Sequence, residues 1–370
     1  MTHEVAELRV LTGLRFYAAL HVVLFHNAGV VALPGHAPFW YRNIIVHGDA
    51  AVSFFFVLSG FILTYVYCTP EGQLKESAAT FWKTRFARLY PLYLVGFLLD
   101  VPRGLAVFLE ESTLVKALVS ALATLGMVQS WHPRVSAAWN APAWSLSCEA
   151  FFYLLFPFVA KWLGSMKRSR LLPLYWAFYL FPIACYGVAS LVGWNSADPS
   201  AGELFWRSFP ILRLGEFLQG AIVGRLFLEQ RVGVLGKSRV RNLAFWGGCG
   251  LSLFLVAVVP LPRVLLANYV CGPLFAVVIV SAASGPIRGG SLFTHRGVHL
   301  LGLASYGLYI LHQPIKAHFA TLTQSWEISA ELAFLLYLLL VLGLSLVAHR
   351  FIENPSKGAI VRALGVGPRT

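Results

Sequence analysis

The sequence predicts an all-α fold: a polytopic membrane helical bundle of about ten transmembrane helices plus one short re-entrant or interfacial segment. Three observations predict it. Of the 370 residues, 58% are hydrophobic and only 12% are charged, against roughly 45–50% and about 25% in soluble domains. The mean hydropathy is +0.69. Apolar runs near the length of a bilayer span, about 20 residues, recur from end to end. Such a chain has too little polar surface to cover itself in water. That excludes a disordered protein, a collagen and a small disulfide scaffold.

The segments follow in order. Candidates lie at 9–30, 48–67, 89–101, 114–130, 144–162, 171–193, 206–228, 243–260, 264–284, 298–320 and 330–349. The longest polar connectors are 68–88, 194–205 and 229–242. None is long enough for a separate soluble domain, so 1–370 reads as a single domain.

The net charge of +13 is a topology signal. Basic residues sit in short clusters between apolar runs, which marks the cytoplasmic side of a polytopic protein. Nucleic acid is not an expected partner, because binding it needs a continuous basic patch. The clusters are Lys75, Lys83, Arg85 and Arg88; Lys167, Arg168 and Arg170; Arg231, Lys237, Arg239 and Arg241; Arg288 and Arg296; and Arg350, Lys357, Arg362 and Arg369. The 194–205 connector instead carries Asp198 and Glu203.

With every basic loop inside, both termini are cytoplasmic. An even number of crossings must then separate the two basic loops that flank residues 89–162. Three apolar segments lie there, so one does not cross. The expected one is 89–101, which is short and ends in Asp100, Pro102 and Arg103. A re-entrant stretch is tolerated only where protein or a cavity covers it.

Cys68, Cys148, Cys185, Cys249 and Cys271 form no CxxC pair, and they read as small buried hydrophobes. No cleavable signal peptide is expected, since the first apolar stretch carries Arg15, His21 and His26.

Ionisable groups within spans are expensive and mark candidate sites. Arg15 and His26 are 11 residues apart, which is three helical turns plus about 20°. They share a face, roughly 16 Å apart along the axis, whereas His21 points elsewhere. The pair fits a site face; it also fits a snorkelling arginine and a packed histidine. Arg85 and Arg88, spaced i, i+3, suit a phosphate-bearing ligand or serve as topogenic charges. Glu149 follows Trp144 at the start of a span. It suits pairing with an arginine, orienting His26, binding an acceptor hydroxyl, or stabilising a helix start with Ser145 as a near-cap. Arg213 and Glu216 are placed to neutralise each other. His312 and Glu353 have no derivable role. GxSxG, Walker, HExxH and dinucleotide fingerprints are absent, and no cluster has metal-ligand spacing, so no metal is expected.

Taken in order, these motifs resemble acyltransferase family 3, integral membrane proteins that O-acylate cell-surface and other glycans in bacteria. The resemblance runs from about residue 8 to 356, leaving a short cytoplasmic tail at 357–370. It is carried by Arg15 with His26, FFFVLSGFILT (54–64), the RFAR of Arg85 and Arg88, WSLSCEAFFYLLFP (144–157), LRLGEFLQG (212–220), SYGLYILHQP (305–314) and FIENP (351–355). It implies ten spans in the bacterial inner membrane and an acyl-CoA donor, usually acetyl-CoA. It also implies a glycan or glycolipid acceptor such as exopolysaccharide, lipopolysaccharide or a lipid-linked sugar.

The resemblance implicates His26 and Arg15 in catalysis and Arg85 and Arg88 in donor handling. Many members have an acidic residue where this chain has Ser53. Many also carry an esterase-like domain after the last span; about 20 residues follow it here. The expected mechanism puts the donor phosphates near Arg85 and Arg88. Arg15 steadies the thioester end or its developing charge, and His26 acts as general base or transient acyl carrier. Glu149 sets the histidine tautomer or binds the acceptor. The competing class is a transporter or flippase of a lipid-linked saccharide, which would need no acyl-CoA. A sugar-ligating polymerase usually has a large outer loop, and none is expected here. The sequence leaves the acceptor, acyl-chain length and oligomeric state open.

Overall fold

A computed structural model describes residues 2–32, 37–110, 113–193, 199–229 and 234–365. Of the charges used to orient the chain, Asp198, Arg231 and Arg369 lie outside the described residues. In chain order the principal helices are α1 (Thr2–Phe25), α2 (Phe39–Val46), α3 (Ala50–Tyr67), α4 (Ala78–Glu110), α5 (Leu114–Leu125), α6 (Trp144–Ser165), α7 (Arg168–Leu191), α8 (Pro199–Ser208), α9 (Pro210–Glu229), α10 (Ser238–Val258), α11 (Gly272–Ala283), α12 (Arg296–Leu303), α13 (Ser305–Thr323), α14 (Ala330–Ala348) and α15 (Asn354–Ala363). Among the described residues the nearest thing to a strand is an isolated bridge between Cys68 and Leu74.

Seven helical segments among the described residues are long and apolar enough to cross a membrane. They include α3, α4, α7, α10 and a 34-residue run through α14 and α15. Only 17% of the apolar window of α7 is buried. Leu172, Leu180 and Phe181 on that helix are exposed. Apolar side chains turned outward along a whole helix need lipid as their solvent. Three more helices, α1, α9 and α13, have 24, 20 and 19 residues. They carry Arg15 and His21, Arg213 and Glu216, and His312 respectively.

The expectation for 89–101 is corrected. That stretch is not a short segment; it lies inside the 33-residue helix α4. Asp100 and Arg103 do not end the helix, because they neutralise each other across one turn at 2.5 Å. Asp100 also accepts the backbone N–H of Asn140 at 2.7 Å. The polar groups are satisfied internally, so the helix runs on. The short element is α5, whose 12 residues rise about 18 Å, against roughly 30 Å of hydrocarbon.

Two other boundaries shift. The first span ends at Phe25, because the Asn27 side chain takes the Val23 carbonyl at 2.8 Å and a turn follows. The 298–320 stretch is two helices, α12 and α13, parted at Ala304.

The chain forms two compact units. The first comprises residues 1–75, 155–199 and 211–303. In it α1 packs on α3, α11 and α12, and α10 packs on α2 and α11. Phe54, Val57, Phe61, Phe245 and Ile279 centre its core. Where α3 crosses α9, Gly60 faces the Phe217 backbone and Gly220 faces the Val57 backbone, and a Cβ at either would strike it. Small residues allow this approach where lipid provides no hydrophobic drive between helices.

The second unit comprises 76–154, 200–210 and 304–370. Here α4 packs on α5, α13 and α15, and α13 packs on α14. Trp139, Phe97 and Ala117 form a local core, and the indole N–H of Trp139 donates to Ser120 at 2.8 Å. All five cysteines are free, and Cys68, Cys148 and Cys271 are buried, as expected of small hydrophobes.

Candidate active site

The five residues singled out as the site divide between the units. Arg15 and His26 belong to the first; Arg85, Arg88 and Glu149 belong to the second.

In the first unit, α1 buries Val10, Leu11, Ala19, Val22 and Val23, and Arg15 is half-buried. His26 follows the last helical residue, yet its backbone N–H still donates to Val22 O at 3.1 Å. The helical register from Arg15 to His26 therefore holds. The His26 ring is half-buried, 4.7 Å from the Phe25 ring. Its Nδ1 lies 3.0 Å from the same Val22 carbonyl. A carbonyl oxygen only accepts, so Nδ1 carries the proton. The neutral ring then has Nε2 as its basic nitrogen. His21 points elsewhere, as its position on the helix requires; its Nε2 donates to Ile44 O at 2.6 Å.

The same unit buries a second polar cluster. The Arg213 Nε and the Glu216 carboxylate are 2.9 Å apart, with side chains 0% and 1% exposed. Arg213 donates to Ser53 Oγ at 3.1 Å, and Ser53 donates to Asn268 O at 2.9 Å. The Phe56 and Tyr269 rings flank the guanidinium. The two charges neutralise each other as expected. Ser53 acts as a neutral bridge beside an arginine that already has its counter-ion.

The second unit draws Arg85, Arg88 and Glu149 around a residue that the sequence reading missed. The Tyr153 hydroxyl donates to Glu149, one helical turn away on α6. The Arg85 guanidinium lies 5.7 Å from the Tyr153 ring centre. Arg85, Arg88 and Glu149 all act electrostatically on Tyr153. Trp82 Nε1 donates to Tyr153 O at 3.1 Å, which ties α4 to α6. Arg85 is buried and Arg88 half-buried. A cavity of about 190 Å3 opens between Arg85 on α4 and Tyr153 on α6. The spacing Glu149-x-x-x-Tyr153 was a usable signal, since i, i+4 residues share a helix face.

Tyr306, also missed, donates to Leu89 O at 2.6 Å and lies within electrostatic reach of Glu149 and Glu353. Glu353 is paired with His349 at 2.9 Å in a π-helical turn. His312 is buried, and its Nδ1 donates to Tyr309 O at 2.7 Å. Ser145 is not a helix cap. Its hydroxyl lies 2.7 Å from the Tyr309 hydroxyl, and both reach the Pro142 carbonyl. Among the described residues no three His, Cys, Asp or Glu side chains gather as a metal site.

Chemically, the first unit offers a basic imidazole, and the second offers two guanidiniums with a tyrosine-held carboxylate. Comparisons with known proteins identify the family of the chain. The family model described as an acyltransferase domain matches residues 9–350. The acyltransferase MdmB of Streptomyces mycarofaciens is 30% identical over 96% of this chain and 93% of its own length. The O-acetyltransferase OatA of Staphylococcus aureus is 23% identical over 97% of this chain but 58% of its own, so the chain spans little more than half of that relative. The exopolysaccharide production protein ExoZ of Rhizobium meliloti is 28% identical over 72% of this chain and 75% of its own. No solved structure matches. From its order of motifs, its all-helical membrane body and the family match along nearly its whole length, the chain belongs to acyltransferase family 3 and is a transferase of acyl groups.

Proposed function

We propose that this enzyme moves an acyl group, acetyl in the first instance, from acyl-CoA to a hydroxyl of a glycan. The acceptor is an exopolysaccharide, a lipopolysaccharide or a lipid-linked sugar. The enzyme works as a single integral domain in the bacterial inner membrane, with both termini cytoplasmic. The names of OatA and ExoZ support O-acetylation and a polysaccharide context.

The observation that carries the reading is the His26 tautomer. Nδ1 is committed to Val22 O at 3.0 Å, so Nε2 is the general base. It takes the acceptor's hydroxyl proton as that oxygen bonds to the acyl carbon. The carbon–sulfur bond then breaks. The departing thiolate takes the proton from the imidazolium and leaves as coenzyme A. A positioned base of this kind is worth about 10²–10⁴-fold in rate.

Arg15 is roughly 16 Å along the axis from His26. In this reading Arg15 steadies the thioester end of the donor or its developing negative charge. Arg85 and Arg88 receive the donor's phosphates, since guanidiniums bind phosphate oxygens bidentately. Val22 already holds the tautomer, which leaves Glu149 to bind the acceptor hydroxyl.

The test is acceptor acylation in cells carrying His26→Ala at normal membrane abundance. Acylation should be lost, and membranes given acetyl-CoA and acceptor should stop releasing free coenzyme A. Undiminished acylation would sink the role of His26. Acceptor movement without coenzyme A release would sink the donor.

A further inference from the structure

The cavity between α4 and α6 has a composition that the transfer chemistry does not use. On α4 its wall is Trp82, Arg85, Phe86 and Tyr90, and on α6 it is Tyr153 and Leu154. The α4 residues fall within an arc of about 140° on one helix face. The Phe86 and Tyr90 rings stack with centroids 4.7 Å apart and planes 20° apart. Phe86 is 49% exposed and Leu154 is exposed too, so they form an open rim. Met127 also lines the cavity, in a left-handed conformation at φ 55. A bulky residue held there is strained, and such strain persists where surrounding packing imposes it.

Size and charge narrow the occupant. A volume of about 190 Å3 corresponds to roughly six waters. It lies below the roughly 300–1,000 Å3 of sites that take a whole drug-sized ligand. One ring system fits; a whole donor does not. Arg85 is the only charged group on the wall, and the aromatic lining offers flat faces. Lys83, Arg85 and Arg88 lie within six residues of one another on α4. The site thus sets a flat apolar slot beside Arg85 and Arg88, which share a helix face at i, i+3, while Lys83 is turned to another side of α4 and donates to Leu364 O at 2.8 Å. A purine linked to phosphates has the matching layout: a π face for the rings, polar edges toward the open side, and anionic groups for the cations.

Resting on the reading of acyl-CoA as donor, we infer that this groove is the adenine subsite. The base lies against Phe86 and Tyr90, and its phosphates reach Arg85 and Arg88. Base–aromatic stacking is tolerant of which base is stacked and is worth about 1–3 kcal/mol per base. The groove therefore sets affinity for the nucleotide end of the donor, remote from the reacting carbon.

The experiment compares two donors in membranes bearing the full chain at equal abundance. Acetyl-CoA carries the nucleotide, and S-acetyl-pantetheine lacks it. Phe86→Ala should raise KM for acetyl-CoA about tenfold and leave KM for S-acetyl-pantetheine in place. Leu154→Trp, which fills the groove from its rim, should do the same. In the unaltered enzyme, adenosine 3′,5′-bisphosphate should compete with acetyl-CoA through its stacked base, and both variants should weaken it. Failure of that competition overturns the subsite without any variant. Equal KM shifts for both donors also overturn it, and assign the groove to a lipid chain or to packing. No turnover of acetyl-CoA by the unaltered enzyme would instead sink the reading of the donor itself.

Discussion

The Nδ1–H of His26 donates to the carbonyl oxygen of Val22 at 3.0 Å. That carbonyl also accepts the His26 backbone N–H, so one oxygen fixes both the helix end and the ring. With Nδ1 carrying the proton, the basic nitrogen of the neutral ring is Nε2.

His26→Gln keeps a polar side chain of similar reach but has no basic nitrogen. It should lower kcat by about 10²–10⁴-fold, with KM for acetyl-CoA and membrane abundance unchanged. Rates of coenzyme A release at saturating donor check this. A variant with normal kcat would remove His26 from the chemistry.

Glu149 and Tyr153 should act as a unit. The phenol donates to the carboxylate, and a hydrogen bond to a charged group is worth about 1.5–3 kcal/mol. Tyr153→Phe keeps the ring beside Arg85 and should cost activity at least about tenfold. Combined with Glu149→Gln it should cost little more than Glu149→Gln alone. A double-mutant cycle in kcat/KM measures the coupling, and strict additivity would show that the tyrosine does not work through Glu149.

The Arg213–Glu216 pair is a stability element. Glu216→Ala leaves a fully buried guanidinium without its counter-ion, which costs about 3–5 kcal/mol. The purified variant should unfold at a markedly lower temperature. Replacing both residues by leucine should recover much of the loss, because no buried charge is then left alone. A double variant no more stable than Glu216→Ala would contradict this account.

Helix α5 should not cross the bilayer. Its 12 residues rise about 18 Å, while α4 and α6 are long enough to span. Thr113 and His132, which flank it, should then face the same side, opposite the basic start of α4. Thr113→Cys and His132→Cys, made in a chain lacking the native cysteines, should both react with a membrane-impermeant thiol reagent added outside intact cells. Labelling of only one would mean that α5 crosses.

The helices were legible because apolar periodicity is a local property. Each apolar run predicted from the sequence corresponds to a helix or a close pair of helices. The extent of 89–101 was not legible. Asp100 and Arg103 look like a stop signal in a sequence window, but their mutual pairing and the Asn140 N–H remove the reason to stop. The break at Ala304 escaped for the opposite reason, since no charge and no proline marks it.

The sequence by itself determined that this chain lives in a bilayer and that Arg15, His26, Arg85, Arg88 and Glu149 are costly groups within it. Composition, charge and the 3.6-residue period are carried by neighbours along the chain, so they need no fold to be read. Only the tertiary structure decided which of these groups meet. It set Arg85 beside Tyr153 across two helices and brought Ser53 to Arg213, 160 positions away. It also left an aromatic groove beside the basic run on α4. Those outcomes depend on which faces bury against each other and which buried polar atoms find partners, and in a close-packed bundle both are settled by residues distant in sequence.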